Sequence, residues 1–172
     1  MKKLIVITVV FVFILMAVNN CGYKLAGFGK QIPDHIKTIV IPDFENKTIR
    51  FQADQYITFA VKEEFIKRSK LALVDRMARA DSLLEGTITT FDVKPLSYSD
   101  DASANLYKVT IAVSVKFIDL KTEKIIFEGT GITFTDTYEV DNDDFFSQET
   151  ETLIKIADEF AASVVTTILE NF

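Results

Sequence analysis

One cysteine and one histidine, Cys21 and His35, are all that this 172-residue chain offers to thiolate or imidazole chemistry. A disulfide framework and a Cys/His zinc site are excluded, and any nucleophile pair would have to be built on His35 alone. His35 stands just before the first predicted strand, with no second imidazole and no nucleophile motif beside it. It does not read as a catalytic base or a ligand. Asp141, Asp143 and Asp144 set alternate carboxylates as a calcium loop does, but the glycine at the sixth position and the glutamate at the twelfth are missing. A solvated turn, with acids ahead of a helix start, suits them better. With 25 acidic residues, no single carboxylate pair points to glycoside hydrolysis. No metal, cofactor or catalytic residue is expected, and the chain reads as a non-enzyme.

The chemistry left to Cys21 is acylation. Lys2 and Lys3 precede an apolar stretch from Leu4 to Val18, broken only by Thr8, and Asn19, Asn20 and Cys21 follow at once. These are the basic and hydrophobic regions of a secretory leader. As a helix the stretch would span roughly 22 Å, short of the roughly 30 Å hydrocarbon core. A lone thiol directly after it is what a bacterial lipoprotein needs, although Asn20 stands where such leaders usually carry Gly or Ala. Residues 1–20 are therefore read as a lipoprotein signal peptide and 21–172 as a single domain lipidated at Cys21. Acyl chains at about 0.8 kcal/mol per buried CH₂ would hold it on a membrane surface. A polybasic anchor plays no part, since 17 basic residues face 25 acidic ones after the leader, a balance of −8. No run of Lys/Arg exceeds two residues, so nucleic acid is excluded as a partner.

The elements that must position these residues follow from periodicity. Thr38 to Ile41 is a β-branched run stopped by Pro42-Asp43. From Phe51 to Arg68, Ile57, Ala60, Val61 and Phe65 recur at helical spacing, with Tyr56, Phe59 and Ile66 widening the apolar stripe. Strands are expected at Leu71 to Val74 and Leu83 to Val93, the latter with Gly86 marking a bulge or a close neighbour. Tyr107 to Phe117 alternates strictly, apolar at odd positions and polar or small at even ones, giving a sheet with one buried and one wetter face. A hairpin loop over 119–124 leads to a strand from Ile125 to about Tyr138. Leu153, Ile156, Ala157, Phe160, Ala161, Val164, Val165, Ile168 and Leu169 form one stripe of a final helix. Ser147 is its expected N-cap, and Glu149 and Glu151 complement its positive end. Phe145 and Phe146 are expected to lie beneath it. This order predicts an α+β, two-layer sandwich, with two helices packed on one face of a mixed four- to five-stranded sheet. The other face is left for water or a partner.

Several stretches, in order, carry a resemblance. They are Cys21-Gly22-Tyr23-Lys24-Leu25-Ala26-Gly27, Ile32-Pro33, Ile36-Lys37-Thr38-Ile39, Ile41-Pro42-Asp43-Phe44-Glu45-Asn46-Lys47-Thr48, Ala80-Asp81-Ser82-Leu83-Leu84-Glu85-Gly86-Thr87-Ile88, Tyr107-Lys108-Val109 and Tyr138-Glu139-Val140. Together they resemble the LPS-assembly lipoprotein family LptE across nearly the whole chain after the leader. The resemblance implies a lipid anchor at Cys21 on the periplasmic side of the outer membrane. Gly22 agrees, since an Asp there would direct inner-membrane retention. It also implies a partner, the outer-membrane β-barrel LptD, plugged and assisted in assembly in a 1:1 complex, and contact with LPS during transport. Where family members are thought to meet LPS phosphates through basic loop residues, this chain has Ser97-Tyr98-Ser99-Asp100-Asp101 and Asp141-Asn142-Asp143-Asp144, so no such residue carries across. Lys94, Lys108, Lys121 and Lys124 lie near strand ends where an anion would be met, although lysines so placed are commonly plain solvated charges.

Two other classes share a small α/β domain behind a lipidated Cys. One is a lipoprotein that activates a cell-wall synthase or self-assembles into a secretion pore. The other, an anchored hydrolase, has no positive support in these residues.

Overall fold

A computed structural model describes residues 32–98, 104–140 and 145–170. Cys21 and the acidic cluster at 141, 143 and 144 lie outside the described residues. The first strand, β1 (Thr38–Val40), is the expected β-branched run. Pro42 lacks the N–H to continue the ladder, and the Phe44 N–H turns away to the buried Thr58 hydroxyl at 2.9 Å. The chain then rejoins the same neighbour as β2 (Glu45–Asn46). A parallel crossover follows through helix α1 (Ala53–Arg68) to β3 (Ala72–Val74), which pairs with β1 from Thr38↔Ala72 to Val40↔Val74. After a 3₁₀ turn at Met77–Arg79 come three long antiparallel strands, β4 (Ser82–Tyr98), β5 (Ala104–Asp119) and β6 (Lys124–Glu139). Helix α2 (Phe145–Glu170) closes the chain.

The sheet order is β3-β1-β4-β5-β6, with β2 extending the β1 side of β4, so the sheet is mixed and six-stranded once two-residue β2 is counted. Both helices cover one face. They run side by side in the same direction, because Arg50, ahead of α1, bonds Thr150 near the start of α2, while Arg68 at the end of α1 bonds Thr166 near the end of α2. Val109, Ile111, Val113, Val115 and Phe117 of β5 meet Leu153, Ile156, Phe160, Val164 and Ile168 of α2 in one buried cluster. Phe160 is its centre, edge-on to Phe44 at 6.5 Å and to Phe134 at 5.8 Å. Burying such a side chain contributes roughly 2–3 kcal/mol.

Gly86 proves to be the close neighbour rather than a bulge, since a Cβ there would run into the Phe44 ring. The bulges fall elsewhere. One lies between Ile88 and Thr90, and another is in β6, where Gly131 takes φ +61. As edge strand, β6 also turns Asp136 toward the helices, where it meets Lys155 of α2 at 2.7 Å. An inward charge on an edge strand discourages pairing with foreign strands.

Three expectations need correction. Phe59 and Ile66 do not widen the buried stripe of α1; they lie on its opposite side, 66% and 56% exposed. Ser147 is the third residue of α2 and not its N-cap, because the helix already begins at Phe145. Phe145 and Phe146 part company: the first is half-buried against Tyr107 and Tyr138, while the second is 76% exposed.

Candidate functional site

Folding does not explain the polar sheet face that points away from the helices. Directly opposed residues share a face, and the pairs there are Glu85↔Lys116, Thr87↔Ser114, Asp92↔Thr110 and Lys94↔Lys108 between β4 and β5. Ala112↔Thr133, Thr110↔Thr135 and Lys108↔Thr137 continue it onto β6. The alternation that buries Val109 to Phe117 therefore lays out hydroxyls and charges on the other side, with Lys116 and Glu128 paired at 3.4 Å. No helix among the described residues packs on this face.

The four candidate lysines fall into two pairs at opposite ends of it. Lys94 and Lys108 stand directly across from each other, Lys94 also meeting Asp92 at 2.6 Å. Like charges so opposed repel, and an anion between them would relieve the repulsion. Lys121 and Lys124 sit at the β5–β6 turn, roughly 35–40 Å away along the strands. The structure thus does not gather the four into one site.

His35 serves the fold. Its Nε2 lies 2.9 Å from Asp119 Oδ2, and Asp119 also accepts from the Lys121 N–H and the Thr122 hydroxyl. Burial alone would raise the Asp119 pKa, but the Thr122, Lys121 and His35 hydrogen bonds outweigh it and hold the carboxyl at about 2. Asp81 is held below the usual carboxylate range by the Lys37 N–H and then by the Thr38 hydroxyl. These contacts clamp the incoming chain to the sheet end.

The opposite end carries features that sequence reasoning missed. Arg50 Nε lies 2.6 Å from Glu149 Oε1, with Glu149 buried, and the guanidinium rides over Phe91 at 5.9 Å. Tyr138 stacks on Tyr107 at 5.4 Å, and burial pushes its hydroxyl pKa up, helped by the charge of Glu149. Only the run Glu149, Thr152, Leu153, Ile156 hinted that a glutamate begins the buried stripe of α2. Among the described residues no helix is long and apolar enough to cross a membrane, and no cluster of His, Cys, Asp and Glu is fit to hold a metal.

Two helices on one face of a mixed sheet, with the other face polar and open, define a domain type that solved bacterial lipoproteins share. A minor lipoprotein from Acinetobacter baumannii superposes with a TM-score of 0.51 at 12% identity, over 78% of this chain and 94% of that one. The PelC dodecamer from Paraburkholderia phytofirmans does so at 0.53 and 14%, over 83% and 94%. A Xanthomonas campestris protein of the DUF330 group gives 0.53 and 14%, over 81% and 90%. At these identities the likeness is one of fold. No curated protein matches the chain. The chain belongs to the lipopolysaccharide-assembly family LptE, which it matches over residues 36–168. Membership associates it with the outer membrane, and in general with LPS and the barrel LptD.

Proposed function

We propose that this chain is a non-enzymatic outer-membrane lipoprotein, anchored through acylated Cys21, that plugs the LptD barrel one to one, helps it assemble, and contacts LPS in transit. The observation that carries this reading is the open face of the long strands. Between Leu106 at one end and Leu83, Ile118 and Ile125 at the other, its threonines, serine, lysines and glutamates match the polar inner wall of a large barrel. Lys94 and Lys108, opposed at the upper end, are the residues of this face best placed for an LPS phosphate.

A C-terminally tagged chain drawn from native outer membrane in mild detergent should bring down one large β-barrel in equal amount. Recovery of a peptidoglycan synthase, or of the chain alone as a ring, would overturn the reading. Lys94→Ala/Lys108→Ala should leave barrel recovery intact and lower the yield of co-purified LPS several-fold.

A further inference from the structure

Helix α1 has two apolar sides. Ala53, Ile57, Val61 and Phe65 are buried, and opposite them Phe59 and Ile66, seven residues and so two turns apart, face water. The loop entering the helix adds Ile49, fully exposed, and Phe51, 74% exposed, while α2 adds Phe146 and Ile154. This display is held in place. The Asn46 side chain accepts from the Thr48 N–H and hydroxyl and donates to the Arg50 carbonyl. The Arg50 guanidinium in turn donates to Thr150, whose hydroxyl donates to the Phe146 carbonyl, so the loop is tied to the start of α2. A display fixed in advance loses little entropy when a partner covers it.

Charge and area together select the occupant. Every cation of the two helices is already paired: Lys62 with Asp43, Lys67 and Arg68 both with Glu64, and Lys155 with Asp136. Asp54, Glu63, Glu151 and Asp158 have no ion-pair partner among the described residues. Lys70, also unpaired, lies beyond the end of α1. Glu63 and Asp158 line a groove of about 590 Å³ between the helices, together with Ile66 and the small side chains of Ala60, Ala161 and Ala162. An anionic amphiphile would meet unpaired carboxylates there, and a second copy would bring the same carboxylates with it; like charges so juxtaposed disfavour both. The six exposed apolar side chains offer on the order of 800 Å², one partner's share of a standard protein interface. Two helices side by side with alanines between them leave a groove that the side chains of a third helix can enter.

We infer that the outer surface of the helical layer, from Phe51 and Phe146 through Phe59 to Ile66, receives an amphipathic helix of another protein. That helix is apolar where it meets these side chains and carries Lys or Arg toward Glu63 and Asp158. The site lies on the opposite side of the molecule from Lys94 and Lys108, so it fills whether or not the open sheet face meets a barrel wall.

Photocrosslinking in living cells tests it on the full chain. A photoreactive benzoyl-phenylalanine replaces Phe59 or Ile66, and the captured segment is mapped by tandem mass spectrometry. The expected result is one protein captured from both positions, in a segment with apolar residues at i, i+3 or i+4 and i+7 flanked by Lys or Arg. With the crosslinker at Phe59, Glu63→Lys/Asp158→Lys should cut that adduct at least fivefold. Both carboxylates are exposed and unpaired, so the variant should keep its circular dichroism. Exchanging the basic residues of the captured segment for Glu should restore the adduct to the charge-reversed chain. An adduct with LPS, with phospholipid, with a second copy or with a segment lacking basic residues would overturn the inference. So would no adduct at all, or one whose yield the charge reversal leaves unchanged.

Discussion

At the scale of single residues, the sharpest test lies at Asp119, a carboxylate 3% exposed at the end of β5. Its folded pKa of about 2 is below the ordinary 3.8, so its ionised form stabilises the fold above about pH 4 and the contribution vanishes as pH falls toward 2. Asp119→Asn should lose about 1–3 kcal/mol near neutral pH through weakened hydrogen bonds to Thr122, Lys121 and His35. It should also flatten the acid limb of stability, which urea midpoints taken at a series of pH values would read. An acid limb as steep as the wild type's would remove Asp119 from that role. Gly86 makes a second case. Its missing side chain lets the Phe44 ring lie flat on β4, so Gly86→Ala should cost about 1–3 kcal/mol by forcing that ring aside. Phe44→Leu in the same chain should make the added methyl less costly than it is in the wild-type background, a coupling that a double-mutant cycle measures.

At the scale of elements, the loop before α1 is tied to the first turns of α2 by Arg50 and Glu149. Removing one partner leaves the other charge poorly hydrated, so Glu149→Ala should cost about 3 kcal/mol, and pairing it with Arg50→Met should restore much of that loss. Thermal unfolding of the two single variants and the double would show it; purely additive losses would mean that the ion pair carries no coupling. The strength of local patterning decided which elements were legible in the sequence. The β5 alternation and the α2 stripe are carried by neighbours in the chain, and both elements stand where the pattern placed them. Arg50 and Glu149 lie 99 positions apart, and nothing local announces their meeting. Phe59 and Ile66 misled for a related reason. Apolar residues on both sides of a helix look like one wide core stripe until the sheet shows that only one side is covered. β2 was illegible because it is two residues of a strand that Pro42 interrupts, recognisable only once Thr87 and Ile88 lie beside it.

At the scale of the whole molecule, family and fold were legible because many short motifs, each weak alone, stand in order along one chain. The candidate lysines were not, since strand-end position says nothing about which end, and the hairpin geometry sends Lys94 and Lys108 one way and Lys121 and Lys124 the other. Anchor and fold are separable on the same grounds. In the sequence Cys21 lies outside every core stripe, and the core of the described residues runs from Ile36 to Ile168. If Cys21 is acylated as proposed, Cys21→Ser should keep the wild-type unfolding midpoint while losing the acyl chains that would make membrane residence stable. If the chain is a barrel plug, the barrel is a second tether, and the loss will show only when the variant is made in excess of its partner. In that excess, Cys21→Ser should appear in the soluble periplasmic fraction while the wild type stays with membranes. A variant that unfolds by circular dichroism would show that position 21 serves the fold. One that stays membrane-bound at any excess would show that something other than lipid holds it there.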